Sequence, residues 1–407
     1  MQSIRKVYGI NALISCNKAG EGPGYLSVEE ANRARRFHTT IRGYKATPLV
    51  SLDSLAKELG VWKIYVKDES HRFGLNAFKG LGATYAIAKL LCERLNVDID
   101  SVSFDYFKTP EVYEIIKDMV FVTATDGNHG RGVAWAATQL GCKSIVYMPK
   151  GSSLRRLENI KKVGAEASIT DVNYDDTVKL ARLKAEEIGG FLVQDTGWEG
   201  YESIPKWIAQ GYTTMAAEAM VQMRLDGIDR PTHVFLQAGV GTFAGGILGY
   251  LANVYKERLP ITVIMEPTNA ACFYKSAFAN DGNPRSVTGD LETIMAGLAC
   301  GEPNPVIWPI LRDYAKAFLS CPDYVAARGM RVLANPIGND PKVVSGESGA
   351  VGLGLLTLLL EREEMKELKT KLALDENSVI LCFSTEGDTD PEHYKKVVYD
   401  GKNPSIF

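Results

Sequence analysis

The chain has 407 residues, of which 45% are hydrophobic and 23% are charged, a composition typical of a globular protein in water. This length is too great for one ordinary domain and predicts either two domains or one large domain with a smaller one inserted. The formal net charge of −3 and the lack of a dense basic run argue against binding to nucleic acid. We also expect no membrane span, because no run of about 18 apolar residues occurs.

The cysteines and histidines indicate a reducing compartment and no metal. The seven cysteines are scattered and form no CxxC pair, which is typical of reduced thiols in a cytoplasmic protein. The five histidines show no metal-ligand spacing, so we infer no metal site. Residues 9–16 faintly resemble a secretion signal, but the apolar run is short and Asn11 interrupts it. We therefore expect a cytoplasmic protein.

Apolar periodicity predicts strands that alternate with helices along most of the chain. The predicted strands are 61–67, 119–124, 144–148, 167–170, 191–194, 232–237, 261–265 and 378–383. The predicted helices are 78–95, 131–140, 154–163 and one that starts at residue 174. This alternation predicts an α/β fold of right-handed βαβ units with mostly parallel sheets. Residues 96–118 break the rhythm, which predicts a polar insertion or a connection between domains.

The first candidate site residue is Lys79. It follows a predicted strand and a loop, and it falls in the first turn of a helix, where a positive charge is poorly placed. A lysine in such a place can serve as a neutral amine that forms an imine. From this segment alone, however, a solvated surface lysine is the better interpretation.

Two glycine-rich turns between a strand and a helix predict anion binding. Residues 123–131 contain Asp126, which is either a helix N-cap or an acid/base group beside a bound anion. Residues 237–246 satisfy the pattern GxGxxG/A, and Glu266 ends the next strand. The second turn therefore fits either a dinucleotide or a simple phosphate, because its free N–H groups bind both.

Two further polar segments follow predicted strands. Ser384 and Thr385 end the last strand with hydroxyl groups, and Asp195 follows the strand at 191–194. The simplest interpretation of each is turn chemistry, since these residue types are common in turns. Neither segment indicates a function by itself.

Taken together, these segments resemble the tryptophan-synthase-β type (fold type II) of pyridoxal-phosphate enzymes. Within that group they are most similar to the diaminopropionate ammonia-lyase family. The resemblance lies in residues 67–70, 72–79, 125–132, 194–196, 296–305, 345–350 and 384–390. The resemblance implies two α/β domains: a large one of residues 1–90 plus 206–407, and a smaller mobile one of residues 91–205. It also implies a homodimer.

The resemblance implies that pyridoxal 5′-phosphate is the cofactor, held as a Schiff base on Lys79. Asn128 is similar in place to the asparagine that bonds the ring hydroxyl. Thr385, or failing that Ser384, would face the ring nitrogen. The implied phosphate loop is Gly239, Val240, Gly241 and Thr242, and the implied contacts to an amino-acid substrate are Thr125, Asp126, Gly127 and His129.

Asp126 is a departure from the related serine and threonine dehydratases, which carry a serine there. In the resembling family, two aspartates serve opposite faces of the cofactor. Asp126 would take the α-proton of a D-substrate and Asp195 that of an L-substrate. The expected reaction is elimination of ammonia from 2,3-diaminopropionate to give pyruvate and two ammonia. A dehydratase-like or β-replacing enzyme on the same fold, and a dinucleotide-binding regulator, are the alternatives.

Overall fold

The computed structural model describes residues 1–125 and 127–406. Within them the strands are β1 Gln2–Val7, β2 Ile10–Ile14, β3 Leu49–Ser51, β4 Lys63–Asp68, β5 Val120–Ala124, β6 Lys143–Met148, β7 Glu166–Ile169, β8 Phe191–Leu192, β9 His233–Gln237, β10 Ile261–Pro267, β11 Ala317–Cys321 and β12 Val379–Ser384.

The α-helices of the described residues alternate with these strands. They are α1 Val28–Thr39, α2 Asp53–Leu59, α3 Gly80–Leu95, α4 Pro110–Ile116, α5 Asn128–Gln139, α6 Leu154–Lys162, α7 Tyr174–Ile188, α8 Ser203–Leu225, α9 Thr242–Tyr255, α10 Cys272–Ala279, α11 Trp308–Tyr314, α12 Asp323–Ala334, α13 Glu347–Glu361, α14 Lys366–Lys371 and α15 Pro391–Val398. None of them is long and apolar enough to cross a bilayer.

The larger sheet has the strand order β1-β2-β11-β10-β9-β12-β4-β3. Its central strands β11, β10, β9, β12 and β4 are parallel, and the antiparallel strands lie at its two edges. Every residue of β12 is buried, as expected for a parallel strand that is covered on both faces. The carboxyl ends of the parallel strands therefore meet at one edge, where a site is expected.

The smaller sheet has the order β7-β6-β5-β8, and all its strand pairs are parallel. Two mostly parallel sheets with helices packed on them confirm the predicted α/β class. The smaller sheet lies within residues 91–205, but the exact division into domains stays a prediction.

Residues 9–16 agree with the rejection of a secretion signal, whereas residues 96–118 differ from their expected character. The run at residues 9–16 contains β2, a buried strand that pairs with β1 and β11. The supposed polar insertion at 96–118 forms short helical turns and α4, and it buries Phe104 and Phe107 in the core. Polar and apolar residues are nearly equal in number in that stretch, and its buried aromatic and aliphatic side chains determine where it packs.

A buried cluster of charges holds the segment that leads to Lys79. Arg72 Nη2 lies 2.9 Å from Glu69 Oε1 and 2.7 Å from Glu218 Oε2, and Lys67 Nζ lies 2.7 Å from Glu218 Oε2. All four side chains are at most 1% exposed. Glu218 belongs to α8, so the cluster ties the loop after β4 to the longest helix of the described residues.

We predict that Glu218→Gln destabilises the fold by about 3–5 kcal/mol, because it leaves buried Arg72 and Lys67 without one counter-charge. Burial opposes ionisation of Glu218, but Arg72 and Lys67 outweigh it and lower its pKa. This stabilisation is therefore present above the ordinary glutamate pKa and is lost as the pH falls through the lowered value. Urea unfolding at several pH values measures it.

The matched control is Glu363→Gln, which removes the exposed partner of Lys366. We expect an unchanged unfolding midpoint for this variant, because exposed ion pairs contribute little. Equal midpoints for the two variants would contradict the structural role of the buried cluster.

Candidate active site

A cavity lies where the carboxyl ends of the two sheets face each other. This is the place where open α/β sheets commonly bind their ligands. Most of the predicted site residues line it, namely Lys79, Thr125, Asn128, His129, Asp195, Gly239, Val240, Gly241, Thr242 and Thr385. Asp126 lies outside the described residues.

Lys79 lies at the N-cap position of α3, after the loop that follows β4. Its side chain is 16% exposed, and its Nζ forms an ion pair with Asp195 Oδ2. Helix α5 packs closely against this point, because a Cβ on Gly132 would lie only 3.0 Å from the Lys79 carbonyl. The Lys79 amine therefore points into the cavity, and the backbone of Lys79 is packed against α5.

Asp195 follows β8 of the smaller sheet and is 2% exposed. Burial opposes its ionisation, but the charges of Lys79 and His129 and the hydrogen bond from Lys79 outweigh burial and lower its pKa to about 2. The neighbouring His129 Nδ1 lies 3.9 Å from Asp195 Oδ2. Lys79 makes the largest contribution to this lowering of the Asp195 pKa.

The glycine loop after β9 leads into α9, whose first residue is Thr242. Gly241 has a φ of +95°, which a residue with a side chain rarely adopts. A Cβ on Gly239 would lie 2.9 Å from the Gly297 carbonyl and 3.3 Å from Cys300 Sγ. The loop therefore presents bare N–H groups at a helix N-terminus, which is an arrangement that binds phosphate.

Thr385 and Ser384 point in different directions. Gln237 Nε2 donates to Thr385 Oγ1 over 3.0 Å, and Thr385 lines the cavity. Ser384 Oγ instead donates to Ser345 Oγ over 2.8 Å, and it is not part of the lining. Neighbouring residues of a strand face opposite sides, so only one of the two hydroxyls can reach the cavity.

The turn before α5 is held by Thr125. Its Oγ1 accepts hydrogen bonds from the N–H groups of Gly127, at 2.8 Å, and Gly130, at 3.0 Å. Gly127 is the N-cap of α5 and does not line the cavity, unlike Asn128 and His129. His129 Nε2 lies 2.8 Å from the Val193 carbonyl, which fixes the ring beside Asp195.

Four residues in or beside this cavity were not among the predicted site residues. Asn128 Nδ2 donates to the buried carboxylate of Glu386, and Asn304 Nδ2 donates to Thr242 Oγ1 over 3.0 Å. Tyr174 and Ser348 line the cavity with Glu386. Glu386 directly follows Thr385, and Asn304 and Ser348 lie in the segments 296–305 and 345–350 that carry the resemblance, whereas no local pattern marked Tyr174.

Glu266 argues against the dinucleotide alternative. Its carboxyl oxygens accept hydrogen bonds from the N–H groups of Phe273, at 2.8 Å, and Tyr274, at 2.7 Å. The side chain is fully buried, and burial raises its pKa to about 8. Because Glu266 caps α10, it is not available to bind a ribose.

The cavity fits pyridoxal 5′-phosphate. The only lysine amine in its lining is that of Lys79, the glycine loop offers N–H groups for a phosphate, and Thr385 offers a neutral hydroxyl for a ring nitrogen. An aldehyde-bearing aromatic phosphate could use all three: the amine for its aldehyde, the loop for its phosphate and the hydroxyl for its ring nitrogen.

Comparison with known proteins agrees with this chemistry. Residues 41–375 match the family described as "Pyridoxal-phosphate dependent enzyme". The match covers more than half of the chain, and the chain therefore belongs to this family.

Relatives with more than half of their residues identical show where this chain belongs within the family. The chain is 54% identical to the diaminopropionate ammonia-lyase of Escherichia coli K12. The 399 compared residues cover 98% of each chain. A crystal structure of the Escherichia coli enzyme with D-serine has a TM-score of 0.91 and 53% identity, with 97% of this chain and 98% of that chain covered. Another, with an aminoacrylate-PLP azomethine reaction intermediate, has a TM-score of 0.90, 52% identity and the same coverage. Within the family, this chain is a member of the diaminopropionate ammonia-lyases.

We predict that Gly239→Ala weakens cofactor binding at least about tenfold, because the added methyl collides with the Gly297 carbonyl and distorts the phosphate loop. Titration of the apoenzyme with pyridoxal phosphate, followed by absorbance, measures the affinity. Gly24→Ala is the control, since a Cβ there meets nothing within 4 Å. Unchanged affinity in Gly239→Ala would contradict the assignment of this loop to the phosphate.

Proposed function

We propose that this protein is a pyridoxal-phosphate-dependent lyase that eliminates ammonia from 2,3-diaminopropionate to give pyruvate and two ammonia. The observation that carries the proposal is the Lys79–Asp195 pair, an amine and a buried carboxylate side by side above a phosphate loop. The full-length identity to the Escherichia coli enzyme supports the choice of substrate.

The cofactor, when bound, supplies a ring that delocalises the negative charge left on Cα. Lys79 would hold the cofactor through its amine. The glycine loop 239–242 would bind the phosphate, and the Thr385 hydroxyl would serve the ring nitrogen without adding a charge. Asn128, whose amide is held by Glu386, orients the ring at its hydroxyl.

The two aspartates would serve opposite faces of the substrate. In this proposal Asp195 removes the α-proton of the L-isomer and Asp126 that of the D-isomer. The buried environment of Asp195 supports its role, because its pKa rises once Lys79 is no longer a charged neighbour. Thr125 and His129, which line the cavity, would position the substrate together with Asp126.

The first experiment follows pyruvate release by the holoenzyme with D- and L-diaminopropionate, and with D- and L-serine for comparison. We expect turnover of a diaminopropionate isomer to exceed that of serine. The Lys79→Ala variant should release no pyruvate, and borohydride should fix no cofactor to it, because no other lysine lines the cavity. A wild-type enzyme that prefers serine would favour the dehydratase alternative.

A second prediction separates the two aspartates. Asp195→Asn should lower kcat for the L-isomer by about 10²-fold or more and affect the D-isomer much less, because an amide cannot accept the α-proton. Asp126→Asn is the matched variant, and it should show the reverse preference. Steady-state kinetics with each pure isomer measures both, and equal losses for the two isomers would contradict this division of roles.

We also propose a cytoplasmic homodimer in which residues 91–205 move as a smaller domain. The seven free thiols support the cytoplasm, and the resemblance to dimeric enzymes of this fold supports the dimer. Light scattering should give twice the mass of the chain, and a monomeric mass would contradict the dimer.

A further inference from the structure

Two side chains on the glycine-loop side of the cavity hold the backbone of Asp195. Thr242 Oγ1 donates to the Asp195 carbonyl, and Asn304 Nδ2 lies 3.3 Å from the same oxygen. Thr242 begins α9, which follows β9 of the larger sheet, whereas Asp195 follows β8 of the smaller one. These hydrogen bonds therefore connect the proposed base beside one sheet to the glycine loop of the other.

The turn that contains Asn304 determines how its side-chain amide is oriented. Asn304 Oδ1 accepts from the N–H of Val306 at 3.0 Å, and a backbone N–H can only donate. The oxygen of the amide therefore faces Val306, and the nitrogen faces Thr242 and Asp195. Asn304 is fully buried, so the opposite orientation would leave buried polar atoms without partners.

The hydroxyl of Thr242 uses its proton on Asp195. Asn304 Nδ2 donates to Thr242 Oγ1 over 3.0 Å, and an amide N–H cannot accept, so the Thr242 oxygen is the acceptor in this bond. The single hydroxyl proton goes to the Asp195 carbonyl, which can only accept. None is left for a phosphate, so Thr242 would serve the cofactor through its backbone N–H, and its hydroxyl has a different role.

The chain after Asp195 packs directly on the turn that contains Asn304. A Cβ on Gly197 would lie 3.0 Å from Asn304 Oδ1 and 3.0 Å from Val306 Cγ2. The N–H of Asn304 donates to the Val240 carbonyl over 3.0 Å, which places the same turn against the glycine loop. Asn304 thus contacts the loop through its backbone and the Asp195 segment through its side chain.

We propose that Thr242 and Asn304 are positioning residues that fix Asp195 relative to the glycine loop, an inference that rests on the proposed function. A cofactor held by its phosphate at that loop would then present the substrate to Asp195 in a defined position. A general base must lie within hydrogen-bond reach of the proton that it removes, and a misplacement of about 1 Å can cost about 10²-fold in rate. Both hydrogen bonds end on Asp195, so their loss should affect the L-isomer more than the D-isomer.

Thr242→Val is the first test, because valine keeps the backbone N–H and nearly the shape of threonine but lacks the hydroxyl. The Asp195 carbonyl retains the bond from Asn304. We expect kcat for L-diaminopropionate to fall about tenfold or more, with a smaller loss for the D-isomer and a cofactor affinity within about twofold of wild type. Steady-state kinetics of the holoenzyme with each isomer and absorbance titration of the apoenzyme measure these quantities.

Thr242→Ser keeps the hydroxyl, and it should restore most of the turnover of the L-isomer. If the hydroxyl bound the cofactor phosphate instead, Thr242→Val would weaken cofactor affinity about tenfold or more and would show no selectivity between the isomers. That result, or unchanged kinetics in Thr242→Val, would overturn the inference.

Asn304→Ser is the second variant, and it leaves the glycine loop and Thr242 untouched. A serine hydroxyl can still accept from the N–H two residues further on, as Asn304 does from Val306, but it is too short to reach Thr242 or Asp195. We expect the same selective loss for the L-isomer and an unchanged cofactor affinity. This variant decides the question if Thr242→Val does not fold.

Thr262→Val is the matched control. Thr262 is also fully buried, and its hydroxyl donates to the Pro260 carbonyl over 3.1 Å near the start of β10, away from the carboxyl ends of the strands. Its removal should leave the turnover of both isomers and the cofactor affinity unchanged.

The outcomes distinguish this inference from the proposed function. A wild-type enzyme that releases pyruvate from neither isomer would contradict the proposed function, and this inference with it. A wild-type enzyme that does release pyruvate, with no isomer-selective loss in Thr242→Val and Asn304→Ser, would contradict this inference alone.

Discussion

The contact between Lys79 and Asp195 joins the two halves of the site. Lys79 follows β4 of the larger sheet, and Asp195 follows β8 of the smaller one, so the ion pair spans the gap between the two sheets. Gly132 permits the helix of the smaller sheet to approach the Lys79 backbone, and the buried charges around Arg72 hold the loop behind it. The other residues that line the cavity surround this ion pair.

The same contact controls the chemistry of the carboxylate. A buried aspartate without a counter-charge would be hard to ionise, and an aspartate beside a lysine is a poor base. Asp195 is both buried and paired, so its basicity depends on whether the amine of Lys79 carries a charge. In the proposed mechanism that charge would change when the cofactor and then an amino acid bind. The basicity of Asp195 would then follow the occupancy of the site.

Most of the fold and part of the site could be predicted from local patterns. The strand ends before Lys79, Asn128, Asp195, Gly239 and Thr385 are marked by apolar runs followed by glycine or polar residues. The remainder depends on contacts between distant segments. Asn128 and Glu386 are 258 residues apart, and Gln194 and Tyr174 meet only when β8 and α7 pack together. Whether Ser384 or Thr385 faces the cavity depends on strand orientation, which composition does not reveal.

The order of strands in the larger sheet has a consequence for biosynthesis. Strand β12 is the last strand of the described chain, yet it lies between β9 and β4 in the middle of the sheet. Strands β9 and β4 are joined only through β12, so the centre of the sheet cannot form until residues 379–384 have been made. A chain that stopped before residue 379 would leave the strand that leads to Lys79 unconnected to the strand that leads to the glycine loop, and the proposed cofactor site would not assemble.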